Sequence, residues 1–300
     1  MAGAPLPGRL LIFARRLPAA CCSACSGKVA KDLLSKDYDV GKTKVEVKMK
    51  TSNGVTFTPI ATKTGESPSG SLAAKYSFMP WLEGEATLGT NGSLDLTLEA
   101  VDALTKGLVL KAECAKAAAD KPALLASANL IAEYKSDAFS CKTSYDCYKN
   151  DLLACVTTAV SDITCGVDCS YCVTKGSLTK YAAAAQFVQP DFTAMTKYEA
   201  KGGKGTLSCS YFHKVSGDMQ VGVAVAKPLA KPDMNIEFGC AYKLDKDTSV
   251  KAKVDSEGVM CTSYKLKVSP ITTMTLAAQV DTVNLADNKH KFGLQLNITP

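Results

Sequence analysis

The sequence predicts an all-β fold: a single closed barrel of about nineteen strands, preceded by a short amphipathic helix. Three observations predict it. From Thr43 onward, short stretches alternate apolar and polar residues, the period of a strand whose two faces meet different surroundings. Turn signals follow these stretches, so that segments recur about every 10–14 residues. So long a run of strands, with almost no helical interruption, is too much sheet for a simple sandwich.

The chain opens on an N-terminal extension, residues 1–25. It holds Arg9, Arg15, Arg16 and the apolar run Leu10-Leu11-Ile12-Phe13-Ala14, and the first acidic residue of the protein is Asp32. Such a segment is either a targeting sequence or a disordered extension. Residues 26–42 form the second unit, an amphipathic helix and hinge. From Ser26 to Asp37, Val29, Ala30, Leu33 and Leu34 are the apolar residues, Lys28, Lys31, Asp32 and Lys36 are polar, and Ser26 is placed to cap the start. A helix this short is marginal in water and needs a surface to lie on.

Residues 43–300 form the third unit, the barrel. Val45, Val47 and Met49 alternate with Lys44, Glu46, Lys48 and Lys50, and Asn53-Gly54 is a strong hairpin signal. Asn91-Gly92 marks another, leading to Leu94, Leu96 and Leu98 against Asp95, Thr97 and Glu99. Leu108, Leu110 and Ala112 alternate with Lys111 and Glu113; Val250, Ala252 and Val254 with Lys251 and Lys253; Tyr264, Leu266 and Val268 with Lys265 and Lys267. The last strand sets Phe292, Leu294, Leu296 and Ile298 against Lys291, Gly293, Gln295 and Asn297. Strand starts are expected near residues 43, 54, 70, 82, 93, 107, 123, 137, 150, 163, 178, 191, 204, 218, 233, 247, 258, 271 and 290. The stretch 115–190 carries the weakest signal: Ala117–Ala119 and Ala182–Ala185 suit a helix by propensity, but the flanking period of two assigns them to strands or turns.

Which face is apolar decides the surroundings. A soluble barrel hides its apolar residues inside, but about nineteen strands enclose an interior too wide for side chains to fill. The apolar face must then be the outside, against lipid, with the Lys, Asp, Glu, Thr and Asn face lining a wet lumen. No apolar run is long enough for a transmembrane helix, which leaves strands as the means of crossing.

Composition excludes several functions. The net charge is +6, from 35 Lys+Arg against 29 Asp+Glu, a modest excess that suits a pore for anions. With no arginine after Arg16, base recognition by arginine is unavailable to the barrel, and no nucleic-acid partner is expected. There is no Gly-rich phosphate loop, no paired acid–base motif and only two histidines, so neither an enzyme nor a cofactor is expected. The thirteen cysteines are odd in number. Cys21, Cys22 and Cys25 precede the first strand. In a strand, Cys165 and Cys169 face one way and Cys172 the other, which spoils a shared metal site; the cysteines are expected to be reduced thiols on the outer face.

These residues resemble the voltage-dependent anion channels, the mitochondrial porins, over about residues 26–300. Lys28-Val29-Ala30-Lys31-Asp32-Leu33-Leu34-Ser35-Lys36-Asp37-Tyr38 resembles that family's lumenal helix. Lys291, Gly293, Leu296 and Ile298 match the sorting signal of mitochondrial barrels: polar, any, Gly, any, any, hydrophobic, any, hydrophobic. The family is the known nineteen-stranded exception among outer-membrane barrels, so the strand count is not independent of the resemblance. Three departures are expected to matter. Of the family's glycine-rich hinge only Gly41 remains, with Asp37 and Asp39 in place of glycines, so the helix is expected to flex less. A Gly-Leu-Lys near the sixth strand is replaced by Gly107-Leu108-Val109, with Lys111 on the same face as Val109. Gly84, between the lumenal Glu83 and Glu85, stands where several animal members carry a lipid-facing glutamate.

The resemblance implies a voltage-gated, weakly anion-selective channel of the mitochondrial outer membrane passing ADP, ATP, phosphate, chloride and organic acids. The candidate anion-attracting residues are Lys28, Lys31 and Lys36 on the helix and Lys44, Lys48, Lys50, Lys111, Lys251, Lys253, Lys265 and Lys267 on the barrel. Leu33 and Leu34 would anchor the helix, and Gly41 would be its hinge. Implied partners are membrane lipids, small anions and nucleotides in transit, and the machinery that inserts outer-membrane barrels; homo-oligomerisation stays open. Two other readings stay open at this point: a protein-import pore of the same barrel superfamily, and a secreted, soluble β-rich binding protein.

Overall fold

The computed structural model describes residues 27–117, 126–286 and 290–300. Ser26, residues 1–25 and Ala118–Ala119 therefore lie outside the described residues. The structure is a closed, all-β barrel with one short helix, α1 (Lys28–Ser35), ahead of it.

Nineteen strands follow. The first is β1 (Lys42–Val47), resumed at Met49–Lys50. Its ladder lapses where the partner strand carries Pro59, which has no N–H to donate, while on its other edge the Lys48 N–H donates to the Ile298 carbonyl at 2.8 Å in the regular parallel pattern. Then come β2 (Thr56–Thr64), β3 (Ser67–Met79), β4 (Leu82–Gly89), β5 (Leu94–Val101), β6 (Leu108–Lys116) and β7 (Ser127–Lys135). The middle holds β8 (Phe139–Asp146), β9 (Asp151–Val160), β10 (Ile163–Cys172), β11 (Ser177–Val188), β12 (Phe192–Lys201) and β13 (Lys204–Lys214). Last are β14 (Met219–Pro228), β15 (Asn235–Lys243), β16 (Thr248–Asp255), β17 (Val259–Ser269), β18 (Thr272–Asp281) and β19 (Lys291–Ile298). The largest displacement from an expected start, four residues, is at Ser127. The Ala182–Ala185 run lies inside β11, where the flanking period of two overrides helical propensity.

Each strand pairs antiparallel with the next. An odd number of strands leaves the first and last pointing the same way, so the ring closes on a parallel pair: Thr43 lies beside Leu294, Lys44 beside Gln295 and Val45 beside Leu296. Closure leaves no open sheet edge, the condition a sheet must meet to cross lipid.

Register carries a single inside–outside assignment round the ring. One face bears Lys44, Thr97, Lys111, Lys197, Ser210, Lys251 and Lys265, and α1 packs against it. The other bears the large exposed apolar side chains, among them Leu98, Val156, Val167, Phe238 and Leu276. At one end of the barrel this outer face carries aromatic contacts: Tyr76–Phe78, with ring centres 5.1 Å apart, Tyr134–Phe139 at 5.9 Å and Phe187–Phe192 at 5.8 Å. Aromatic rings in such a band suit the interface between hydrocarbon and water. Gly84 also faces outward, with the Phe78 ring lying over it.

The cysteine expectation needs correcting. Cys114, Cys141, Cys165, Cys169, Cys209 and Cys240 occupy outward positions, but Cys155, Cys172 and Cys261 occupy lumenal ones and are buried. A small thiol fits either face, so residue type alone does not set its side. All ten described cysteines are free.

The two faces predict opposite tolerance at adjacent positions. Leu98→Lys, on the lipid face of β5, is expected to lower folding stability by about 2–4 kcal/mol in vesicles. Thr97→Lys, one residue away on the lumenal face, is expected to cost under ~1 kcal/mol. Urea titration of the refolded barrel, read by tyrosine and tryptophan fluorescence, measures both.

Candidate functional site

Charged side chains line the lumenal wall, and α1 lies against it. The helix has the composition of a docked element. Ala30, Leu33 and Leu34 form one face and are buried, at 4%, 4% and 2% exposure, while Lys28, Lys31 and Ser35 are exposed. No side chain caps its start: the cap position is Gly27, in a left-handed conformation. At its end the Lys36 N–H donates to the Asp32 carbonyl at 3.1 Å. An eight-residue helix without a side-chain cap depends on packing, and burying two leucines contributes about 3–6 kcal/mol.

The wall is built to receive it. Gly222 on β14 and Gly239 on β15 are direct cross-strand partners, and together they open a notch. A Cβ added at Gly222 would lie 2.8 Å from Leu33 Cδ2, and one at Gly239 would lie 2.6 Å from Leu34 Cδ2. Phe212 on β13 closes the cluster around Ala30 and Leu33, with Ala241 beside it. A strand glycine marks a place where something approaches the backbone closely, and that signal was present in the sequence.

After α1 the chain is clasped to the wall by charge. Asp37 has a positive φ of 73°, which aspartate tolerates better than most side chains. Its carboxylate lies 2.7 Å from Lys251 Nζ on β16 and 3.6 Å from Lys265 Nζ on β17. Lys251 Nζ also donates to the Lys36 carbonyl at 3.4 Å. The Asp37 and Lys251 side chains are only 13% and 20% exposed, so this ion pair is more sheltered than an ordinary surface pair. Lys253 Nζ sits 5.4 Å from the centre of the Tyr38 ring, a cation–π contact. Asp39 pairs with Lys42 at 2.7 Å. The linker then crosses β19. The Gly41 N–H donates to the Phe292 carbonyl at 2.9 Å, and a Cβ at Gly293 would overlap the Asp39 carbonyl oxygen. Gly293 therefore has a local structural reason to be glycine, apart from any sorting role. Gly41, at φ 74°, supplies the left-handed turn into β1.

The lumenal register places Lys44, Lys48, Lys50, Lys111, Lys251, Lys253, Lys265 and Lys267 on the inner face. Five of these have carboxylate partners. Lys44 meets Glu46 at 2.9 Å, Lys111 meets Glu99 at 3.2 Å, Lys253 meets Glu237 at 3.9 Å, and Lys251 and Lys265 share Asp37. Lys28, Lys31, Lys36, Lys48, Lys50 and Lys267 have no ion-pair partner within 4 Å among the described residues. In β19, Lys291 and Gly293 face the lumen while Leu296 and Ile298 face outward.

Further lumenal lysines are answered by acids that lysine positions alone do not reveal. Glu83 meets Lys75 at 2.6 Å, Glu133 meets Lys142 at 2.6 Å, and Glu199 bridges Lys197 at 2.6 Å and Lys180 at 3.0 Å. Each pair joins residues on adjacent strands or two apart on one strand, so the register would have found them. The Asp37 clasp spans more than two hundred residues and had no local signal.

Comparison with known proteins gives a consistent result. The eukaryotic porin family model matches residues 23–293. A "Mitochondrial outer membrane protein porin" of Candida albicans is 28% identical over 276 residues, covering 90% of this chain and 95% of that protein. A protein of the same name from Neurospora crassa is 29% identical, covering 89% of this chain and 94% of that protein. The "Voltage-dependent anion-selective channel" of Drosophila melanogaster is 27% identical, covering 91% and 96%.

The notch predicts how the helix can be released. Substituting Gly222→Val and Gly239→Val together fills it and is expected to undock α1. Hydrogen exchange at the amides of Ala30–Ser35 should then accelerate by at least about tenfold, the equivalent of ~1.4 kcal/mol of lost docking, while β13–β15 amides keep their protection.

Proposed function

Because the chain belongs to the eukaryotic porin family, we propose that it is a voltage-gated, weakly anion-selective channel of the mitochondrial outer membrane. It passes small metabolites: chloride, phosphate, organic acids, ADP and ATP. The observation that carries this reading is a closed barrel with an apolar exterior, a charged lumen and a cationic helix docked inside.

Selectivity of this kind needs no tight site. Lysines on a wide lumen raise local anion concentration through their summed potential, and weak binding lets solutes leave. The unpaired cations carry most of this effect, because a carboxylate beside a lysine cancels much of its distant field. Lys28, Lys31 and Lys36 are therefore assigned the leading role, with Lys48, Lys50 and Lys267 next. Lys44, Lys111, Lys251, Lys253 and Lys265 contribute less to anion attraction, and Lys251 and Lys265 act mainly as the clasp for Asp37.

Voltage sensitivity follows from the same helix. Its charges lie within the transmembrane field, and displacing them does electrical work. Leu33 and Leu34 anchor the closed-packed position, Gly41 is the pivot, and the Asp37 clasp opposes movement. The Lys291, Gly293, Leu296 and Ile298 pattern is assigned to recognition by the machinery that inserts outer-membrane barrels. Lipids cover the outer face, and association with further copies of the barrel would use that face.

Recording purified protein in planar bilayers under a salt gradient tests the reading. Discrete, voltage-dependent conductance with a reversal potential on the anion side is expected, and no discrete conductance would sink it. Replacing Lys28, Lys31 and Lys36 by Glu is expected to lower anion preference, shifting the reversal potential toward the cation side. An unchanged reversal potential would remove the helix as a selectivity element. Asp37→Asn is expected to make the channel close at lower voltage, because it loosens the linker without altering the apolar anchor.

A further inference from the structure

The lumen is electrically two-sided. α1 packs on β13, β14 and β15. In a closed ring of nineteen strands the wall opposite β14 lies nine or ten strands away, at β5 or β4. On β4–β6 the lumenal face carries five carboxylates, Glu83, Glu85, Asp95, Glu99 and Glu113, and one cation, Lys111. On the opposite side of the pore the helix carries Lys28, Lys31 and, just beyond its end, Lys36, against Asp32 and Asp37, the latter paired with Lys251 and Lys265. Both groups sit near mid-strand: Leu33 and Leu34 dock at Gly222 and Gly239, and Glu85, Glu99 and Glu113 lie near the middle of their strands.

Stability does not account for the acidic wall. Glu83 and Glu99 are direct cross-strand partners, an arrangement that costs rather than contributes stability, and Glu85 and Glu113 flank Thr97 in the neighbouring row. Glu83 and Glu99 are answered by Lys75 and Lys111. Glu85, Asp95 and Glu113 have no ion-pair partner within 4 Å among the described residues, although Lys75, which pairs with Glu83, is also the direct cross-strand neighbour of Glu85.

The dimensions keep the two sides distinct. Nineteen strands about 4.8 Å apart and tilted by about 40° enclose a ring roughly 35–40 Å across the backbone. Side chains and a helix about 10 Å thick leave an opening on the order of 15 Å. That exceeds the ~8 Å screening length at physiological salt, so each wall sets the potential near itself.

Resting on the channel reading above, we infer that the pore is a two-lane conduit, with anions passing along the helix face and cations along the β4–β6 wall. Its specificity-determining residues on the cation side are Glu85, Asp95 and Glu113. Weak selectivity is then the sum of two separate flows.

The test is the full-length protein in planar bilayers under a KCl gradient, with conductance and reversal potential resolved into potassium and chloride contributions. The variant Glu85→Gln, Asp95→Asn, Glu113→Gln removes charge without breaking an ion pair within the described residues. It is expected to lower the potassium contribution at least about twofold and to leave the chloride contribution unchanged. The variant Lys28→Gln, Lys31→Gln, Lys36→Gln should show the reverse. If neutralising the acids raises chloride flow by the factor that potassium flow falls, the lumen acts as one mixed potential and the two-lane inference is overturned. Absence of any conductance in the unsubstituted protein overturns the channel reading instead. Should the triple variant not insert, Glu85→Gln and Glu113→Gln singly carry the same comparison.

Discussion

Inside a bilayer, a peptide N–H or carbonyl that leaves water must find its partner within the protein. This constraint governs the molecule. A sheet can satisfy it only by closing, and nineteen strands close only with β1 parallel to β19. Once the ring is closed and the register fixed, every residue is committed to one face by its parity. The apolar exterior and the charged lumen are therefore one consequence rather than two features. Helix docking, ion pairing and the charge difference between opposite walls all inherit their geometry from that register.

The interior then has to hold a helix that is too short to persist alone. It does so with two unlike contacts. Leu33 and Leu34 enter a notch made by the paired glycines of β14 and β15, which contributes burial. Asp37 sits between Lys251 and Lys265, which fixes where the linker leaves the helix. The apolar contact is insensitive to salt and the electrostatic one is partly screened by it. Linker and barrel also meet at Gly293, where the backbone of Asp39 passes close to β19. The arrangement pins the linker to the wall at Asp37, Asp39 and Gly41.

Much of the fold was legible in the sequence because a two-residue period, repeated with turn signals between, has few other meanings. Lys251 and Lys253 alternating with Val250, Ala252 and Val254 settled both the element and its faces. The alanine run at Ala182–Ala185 had no such alternation of its own and needed its neighbours. Less of the site was legible. Lumenal lysines could be found from parity, but whether each was free depended on the strand beside it: Lys111 on Glu99, Lys142 on Glu133. The notch was half legible, since a glycine inside a strand is a signal, but pairing Gly222 with Gly239 required the register. The Asp37 clasp, between residues more than two hundred apart, belongs to tertiary structure alone. The cysteines misled because a thiol carries no strong preference for either face.

Closure of the ring by a parallel pair is the claim on which the lumen, its charges and its helix all rest. A cross-link between Lys44→Cys and Gln295→Cys, in a background without other cysteines, tests it most directly. These residues are lumenal partners in the parallel register, at a spacing suited to a disulfide and within reach of a water-soluble oxidant. The account predicts a rapid intramolecular cross-link in the membrane-inserted protein, with conductance retained. Exclusively intermolecular cross-links, or none under conditions that oxidise an antiparallel lumenal pair such as Thr275→Cys with Gln295→Cys, would contradict it.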